Sequence, residues 1–105
     1  MQLLSEEHKR AAKKAMKLLE HMDRTEKGLR DRLHQAGFGQ DAIEAAMAYV
    51  ESYGYIDDYR YARTYIAYRM DSKSRQKVLQ ELAAKGVDRS VAAAAWEEEA
   101  ALHAP

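Results

Sequence analysis

A chain of 105 residues has room for one domain or for a pair of small modules sharing a core. The absence of cysteine excludes disulfides, thiol catalysis and thiolate metal ligation, and no apolar run approaches the roughly 18 residues that a membrane-spanning helix needs. The 17 Lys/Arg balance 17 Asp/Glu, and zero net charge weighs against tight DNA binding by charge alone.

Alanine, leucine, lysine, arginine, glutamate and methionine dominate, which favours helix, and the one proline is the last residue. The N-terminus, with Glu6, Glu7, Lys9 and Arg10, carries no apolar signal-peptide core, so a cytoplasmic protein is expected. No strand is predicted, and six helices fit the periodicity. The first runs from an N-cap near Ser5 to Met22, with Ala11, Ala15, Leu18, Leu19 and Met22 as its apolar stripe. The second follows a cap at Thr25 and buries Leu29 and Leu33. Gly28, inside its first turn, either permits a close helix approach or is tolerated there at about 1 kcal/mol relative to alanine. The third, capped by Gly39 or Asp41, presents Ile43, Ala46, Met47 and Val50 on one face, and Asp41 with Glu44 resembles a capping box.

Asp57 or Asp58 caps the fourth helix, whose inner side carries Tyr61, Ala62, Tyr65, Ile66 and Arg69. The fifth starts near Ser72 or Ser74 and buries Val78, Leu79 and Leu82. The sixth opens at Asp88 or Ser90 and runs through Val91, Ala94 and Ala95 to Leu102. Helix ends are marked by Gly37, Gly54 and Gly86. Each has an apolar residue four positions before it and another directly after it: Leu33 and Phe38, Val50 and Tyr55, Leu82 and Val87. That is the signature of a Schellman ending.

The chain also repeats itself. Thr25, Leu29, Leu33, Gly37, Phe38 and Ala45-Ala46 recur 49 positions later as Ser74, Val78, Leu82, Gly86, Val87 and Ala94-Ala95. A period of this size signals a supersecondary unit used twice, here three helices in residues 1–56 and three in 57–105. Each unit is too small to bury much surface, and the two are expected to pack into a small elongated all-α domain. Charge alternates with the repeat. Residues 1–36 hold nine Lys/Arg against six acids, 37–59 five acids and no Lys/Arg, 60–89 eight Lys/Arg against three acids, and 90–105 three acids and no Lys/Arg.

An enzyme is not expected. The chain has no nucleophile–base constellation, glycine-rich phosphate loop or metal signature, and no cofactor is called for. His8, His21 and His34 lie 13 residues apart, about 140° from one another around a helix, which does not gather ligands. Asp57 and Asp58 read as caps interacting with a helix dipole rather than as a catalytic or metal pair. Seven tyrosines gather around the junction. Beside Arg60 and Arg63 they could stack unpaired bases, but packing is the favoured reading for most, with Tyr59 and Tyr68 as the exposed exceptions. Lys9, Lys13 and Lys17 share one helix face. Lys73, Arg75 and Lys77 crowd a helix start, where the dipole disfavours cations. This local conflict argues for a binding role, in which reversing their charge should leave helicity unchanged. Arg69 is expected to pair in a buried site with Asp57 or Asp58.

Gly54-Tyr55-Ile56-Asp57-Asp58, then Ala62, Tyr65 and Arg69, then Leu82, Lys85, Gly86 and Val87, resemble the RecX family, supported by Thr25-Glu26 ahead of Leu29 and Leu33. The resemblance covers roughly residues 11–98. It implies tandem three-helix repeats and a non-enzymatic monomer that binds the RecA filament on single-stranded DNA. Such a protein restrains filament extension, ATP hydrolysis and strand exchange in the control of DNA repair, recombination and the SOS response. It also implies weak contact with single- or double-stranded DNA and none with membranes. The contact residues expected here are Lys9, Lys13, Lys17, Tyr59, Arg60, Arg63, Lys73, Arg75 and Lys77. Three features depart from the family pattern: two repeats where three are common, Gly28, and Ser74 where a glycine is often found. The competing reading is a stand-alone nucleic-acid module acting through basic helix faces.

Overall fold

Local stop and start signals account for most of the helix boundaries in the computed structural model, which describes residues 5–104. The helices are α1 (Glu6–His21), α2 (Glu26–Gln35), α3 (Gln40–Ser52), α4 (Asp58–Arg69), α5 (Arg75–Ala84) and α6 (Arg89–Leu102), with no strand among the described residues. Ser5 caps α1 by accepting the N–H of His8 at 3.1 Å. Thr25 accepts from Gly28, Ser74 from Lys77 and Asp88 from Ser90, which settles the starts of α2, α5 and α6. Gly28 holds a place in the cap: its N–H reaches the Thr25 hydroxyl at 3.0 Å, and a Cβ there would lie 3.1 Å from that oxygen.

The three glycine endings have the Schellman geometry. Gly37, Gly54 and Gly86 take φ of 91°, 70° and 94°. The amides of Phe38, Tyr55 and Val87 bond back to the carbonyls of Leu33, Val50 and Leu82 at 3.3, 3.0 and 3.0 Å. A Cβ on Gly37 would meet nothing within 4 Å, so substitution there tests the backbone alone. Gly37→Ala is expected to cost about 1–2 kcal/mol in chemical denaturation, and Gly37→Asn less, because asparagine tolerates the left-handed region.

Two compact units result, Met1–Asp57 and Asp58–Pro105, of which residues 1–4 and 105 lie outside the described part. In the first unit α1 packs mainly on α3, with α2 laid against both; Ala11, Ala15, Leu29, Leu33, Ile43, Ala46, Met47 and Val50 form its core. The second unit pairs α4 with α6 in the same way and buries Ala62, Ile66, Val78, Leu82, Val87, Ala92 and Ala95. Small residues on α1 and α6 bring backbones close, and the two apolar anchors of α2 and α5 fill the space between.

Several expected details are corrected. Met22 is exposed: it is the C-cap of α1 with an extended backbone, so the apolar stripe has already ended. Leu19 and Leu79 are half-buried rather than fully buried. Asp41 lies inside α3 rather than capping it, because Gly39 is the cap. No capping box forms. The Gly39 amide is met instead by the Glu7 carboxylate from α1 at 3.1 Å, and Glu44 is turned to Arg30 and Gln40.

Candidate partner-binding surfaces

Burying Ala11, Ala12, Ala15 and Leu18 turns the opposite side of α1 to solvent, and Lys9, Lys13 and Lys17 all lie exposed there. Lys9 has a loose exposed pair with Glu6 at 3.5 Å. A shallow groove of about 260 Å³ runs beside this stripe, lined by Lys9, Lys13, Ala12, Met16 and Tyr49. Tyr49 starts a short aromatic ladder. Its ring centroid is 5.2 Å from that of Tyr53, which lies stacked 5.6 Å from Tyr55.

Tyr59 at 37% and Tyr68 at 79% are exposed, as anticipated, but Tyr53 at 60% and Tyr55 at 44% are exposed as well rather than packed. Tyr61 and Tyr65 are half-buried against the second core, where their rings stack at 6.2 Å. Asp57 stands directly before α4 and Asp58 is its first residue.

Five of the expected contact cations lie in the second unit. Arg60 and Lys77 are exposed. Arg63, Lys73 and Arg75 have acidic partners within the unit. Lys73 Nζ lies 2.7 Å from Glu81 Oε2, whose other oxygen accepts the Tyr65 hydroxyl at 2.7 Å. Arg75 reaches Glu97 at 3.7 Å. Arg63 Nε is buried without a hydrogen bond and lies 3.5 Å from Glu99, and the Arg63 guanidinium stands 6.0 Å from the Tyr59 ring. At Lys73 the conflict between cation and α5 dipole is thus met by Glu81, while the Arg75 contact with Glu97 is loose and exposed. Reversing Lys73 is therefore not structurally neutral, since it would set a second carboxylate against Glu81.

Arg69 is a further correction. It stacks within its own helix, its guanidinium carbon 3.6 Å from the Tyr65 ring centre and its Nη1 donating to the Tyr65 carbonyl at 3.3 Å. The apolar side of α4 offers a ring there, and the buried ion pair expected for Arg69 gives way to it.

The Lys73 ammonium and then the Tyr65 hydroxyl hold the Glu81 carboxyl below the usual carboxylate range, while burial and then Glu81 push the Tyr65 phenol up. A depressed carboxylate stabilises the fold above its unfolded pKa, and that contribution is lost as pH falls through the folded value. The melting temperature of wild type is expected to drop more steeply on acidification than that of Glu81→Gln, the two curves converging at low pH. Parallel curves would show that Glu81 is not coupled to folding.

Trp96, half-buried on the second core, and the acids Glu81 and Glu99 carry no sequence signal for these roles. Among the described residues no three His, Asp or Glu side chains converge as a metal site.

The family model for the RecX first three-helix domain matches residues 11–49, and that for the RecX second three-helix domain matches residues 57–95. The chain belongs to the RecX family. Curated relatives agree. The Regulatory protein RecX of Clostridium perfringens is 36% identical over 77 residues, covering 73% of this RecX-family chain and 36% of the relative. That of Caldanaerobacter subterraneus is 35% identical over 86 residues, covering 81% and 44%. The crystal structure of RecX from Lactobacillus salivarius superposes with a TM-score of 0.81 at 24% identity, over 95% of this chain and 64% of that one. The chain therefore spans less than half the length of these curated relatives and carries a pair of three-helix units of a regulatory family.

Proposed function

We propose that this chain is a non-enzymatic cytoplasmic regulator of the RecA recombinase, binding its filament on single-stranded DNA and restraining extension, ATP hydrolysis and strand exchange. The observation that carries this reading is the match of both three-helix domains, in order, to the RecX family. No described helix is long and apolar enough to cross a membrane. Lys9, Lys13, Lys17, Arg60 and Lys77, all exposed, are contacts of this reading, and Tyr59 is another. Arg75 belongs to the same set with only a loose exposed contact to Glu97, whereas Arg63 and Lys73 are the more enclosed members, facing Glu99 and Glu81.

The test is ATP hydrolysis by the cognate recombinase filament on single-stranded DNA, titrated with this chain beside a DNA-only binding assay. Inhibition is expected at concentrations well below those that coat free DNA, and it should weaken when Lys9, Lys13 and Lys17 become glutamate. Salt-sensitive DNA binding without inhibition would replace this reading with the stand-alone nucleic-acid module.

A further inference from the structure

The two units share a pattern of helix starts and ends, 49 residues apart, but differ between their second and third helices. In the first unit the space between α2 and α3 is spanned by a polar network. Arg30 donates to Glu26 at 3.4 Å and to Glu44 at 3.0 Å, and Gln40 donates to Glu44 at 2.7 Å. The Glu44 carboxyl is held low, chiefly by its hydrogen bond with Arg30. Moving 49 positions along, the same four sites are Arg75 for Glu26, Leu79 for Arg30, Arg89 for Gln40 and Ala93 for Glu44. The bridging cation has become leucine, the acids have become arginine and alanine, and what reaches from α5 to α6 is the looser, exposed Arg75–Glu97 contact at 3.7 Å.

What stands there is an open groove of about 640 Å³. Leu79, Ala83 and Ala93 form an apolar floor, and Arg75 and Arg89 supply the charge of the lining, which contains no acid. Arg89 is exposed and has no intramolecular ion-pair or hydrogen-bond partner among the described residues, and Arg75 has an exposed contact at 3.7 Å. A methyl-lined floor flanked by guanidinium groups complements side chains that are apolar in the middle and anionic at the edge. A phosphate backbone would leave the apolar floor unused.

We propose that the α5–α6 groove, open where the first unit is closed by the Arg30–Glu26–Glu44 network, docks an acidic amphipathic helix of a protein partner. The partner's apolar side chains rest on Leu79, Ala83 and Ala93, and its carboxylates meet Arg75 and Arg89. The inference goes beyond the filament reading and does not rest on it.

The probe is a helical peptide of about 18 residues with leucine at the i, i+4 and i+7 positions and glutamates flanking them. A lysine-for-glutamate version of that peptide and a single-stranded oligonucleotide serve as comparisons. The acidic peptide is expected to bind the full chain and to shift the amide resonances of residues 75–93. Arg89→Glu should weaken it at least about tenfold. The triple variant Arg75→Glu, Leu79→Arg, Ala93→Glu, which rebuilds the first unit's network in the second, should abolish binding while circular dichroism stays unchanged. If the triple variant does not fold, the exposed Arg89→Glu change alone decides. Absence of acidic-peptide binding, equal binding of the lysine peptide, undiminished binding by Arg89→Glu, or oligonucleotide shifts at the same residues would each overturn the proposal. So would self-association of the chain through these residues. Peptide binding and filament inhibition are read separately, so either proposal can fail without the other.

Discussion

Leu33→Ala and Leu82→Ala are each expected to destabilise their own unit by about 2–5 kcal/mol, enough to leave much of that unit unfolded. The two leucines occupy equivalent positions 49 residues apart and are fully buried. Each is one of just two buried side chains on its helix, Leu29 with Leu33 on α2 and Val78 with Leu82 on α5. The backbone carbonyl of each also accepts the N–H hydrogen bond that closes the glycine ending of that helix. Truncation therefore removes half of what anchors the helix and leaves a cavity under its last turn. A unit of about 50 residues has roughly 3–8 kcal/mol of stability in total, so the loss is of the same size. Urea denaturation followed by circular dichroism reads it. The half-buried Leu19→Ala serves as the comparison and should cost less. A loss below about 1 kcal/mol at Leu82 would mean that α5 is held by something other than its apolar pair.

Glu99→Ala is expected to destabilise the second unit by about 1–3 kcal/mol, the usual cost of leaving a buried polar group without its partner. Glu99 is 8% exposed, and its carboxylate is what Arg63 Nε faces at 3.5 Å inside the packing of α4 on α6. His103 approaches the other oxygen at 3.8 Å. The geometry is too long for a strong hydrogen bond, so removing both charges should be far less harmful than removing one. Arg63→Met combined with Glu99→Leu is therefore expected to recover most of the loss seen for Glu99→Ala. A double-mutant cycle measures the coupling, and additive losses would show that the pair does not act together.

The first prediction rests on a feature open to reading in the chain, and the second on one that was not. Glycine with apolar residues on either side, and serine, threonine or aspartate before an apolar run, act within one turn of backbone, so α2, α3 and α5 end, and α1, α2, α5 and α6 begin, where those residues stand. The alanine run 92–95 illustrates the opposite case. Four identical small residues carry no phase, so the inward positions Ala92 and Ala95 could not be told from the outward Ala94 until α6 was laid on α4. Met22 fits the apolar period of α1, but the backbone turns extended at that residue. For the candidate contacts, the basic face of Lys9, Lys13 and Lys17 follows from helical spacing alone. The internal partners of Arg63, Lys73 and Arg75 do not.

The sequence by itself determined the all-helical class, the repeat of 49, the glycine endings, the leucine anchors and the family, because caps, stops and periodicity are local and act through the backbone. Tertiary structure alone decided which charges meet. Glu7 reaches Gly39, Arg30 reaches Glu44, Tyr65 reaches Glu81 and Arg63 faces Glu99 across helices whose rotation about their own axes no local rule specifies. The same rotation turns Leu79 and Ala93 toward an open groove in one unit while Arg30 and Glu44 close the equivalent space in the other. Side-chain pairing between helices depends on how their apolar faces settle against one another, and that is fixed only when the core packs.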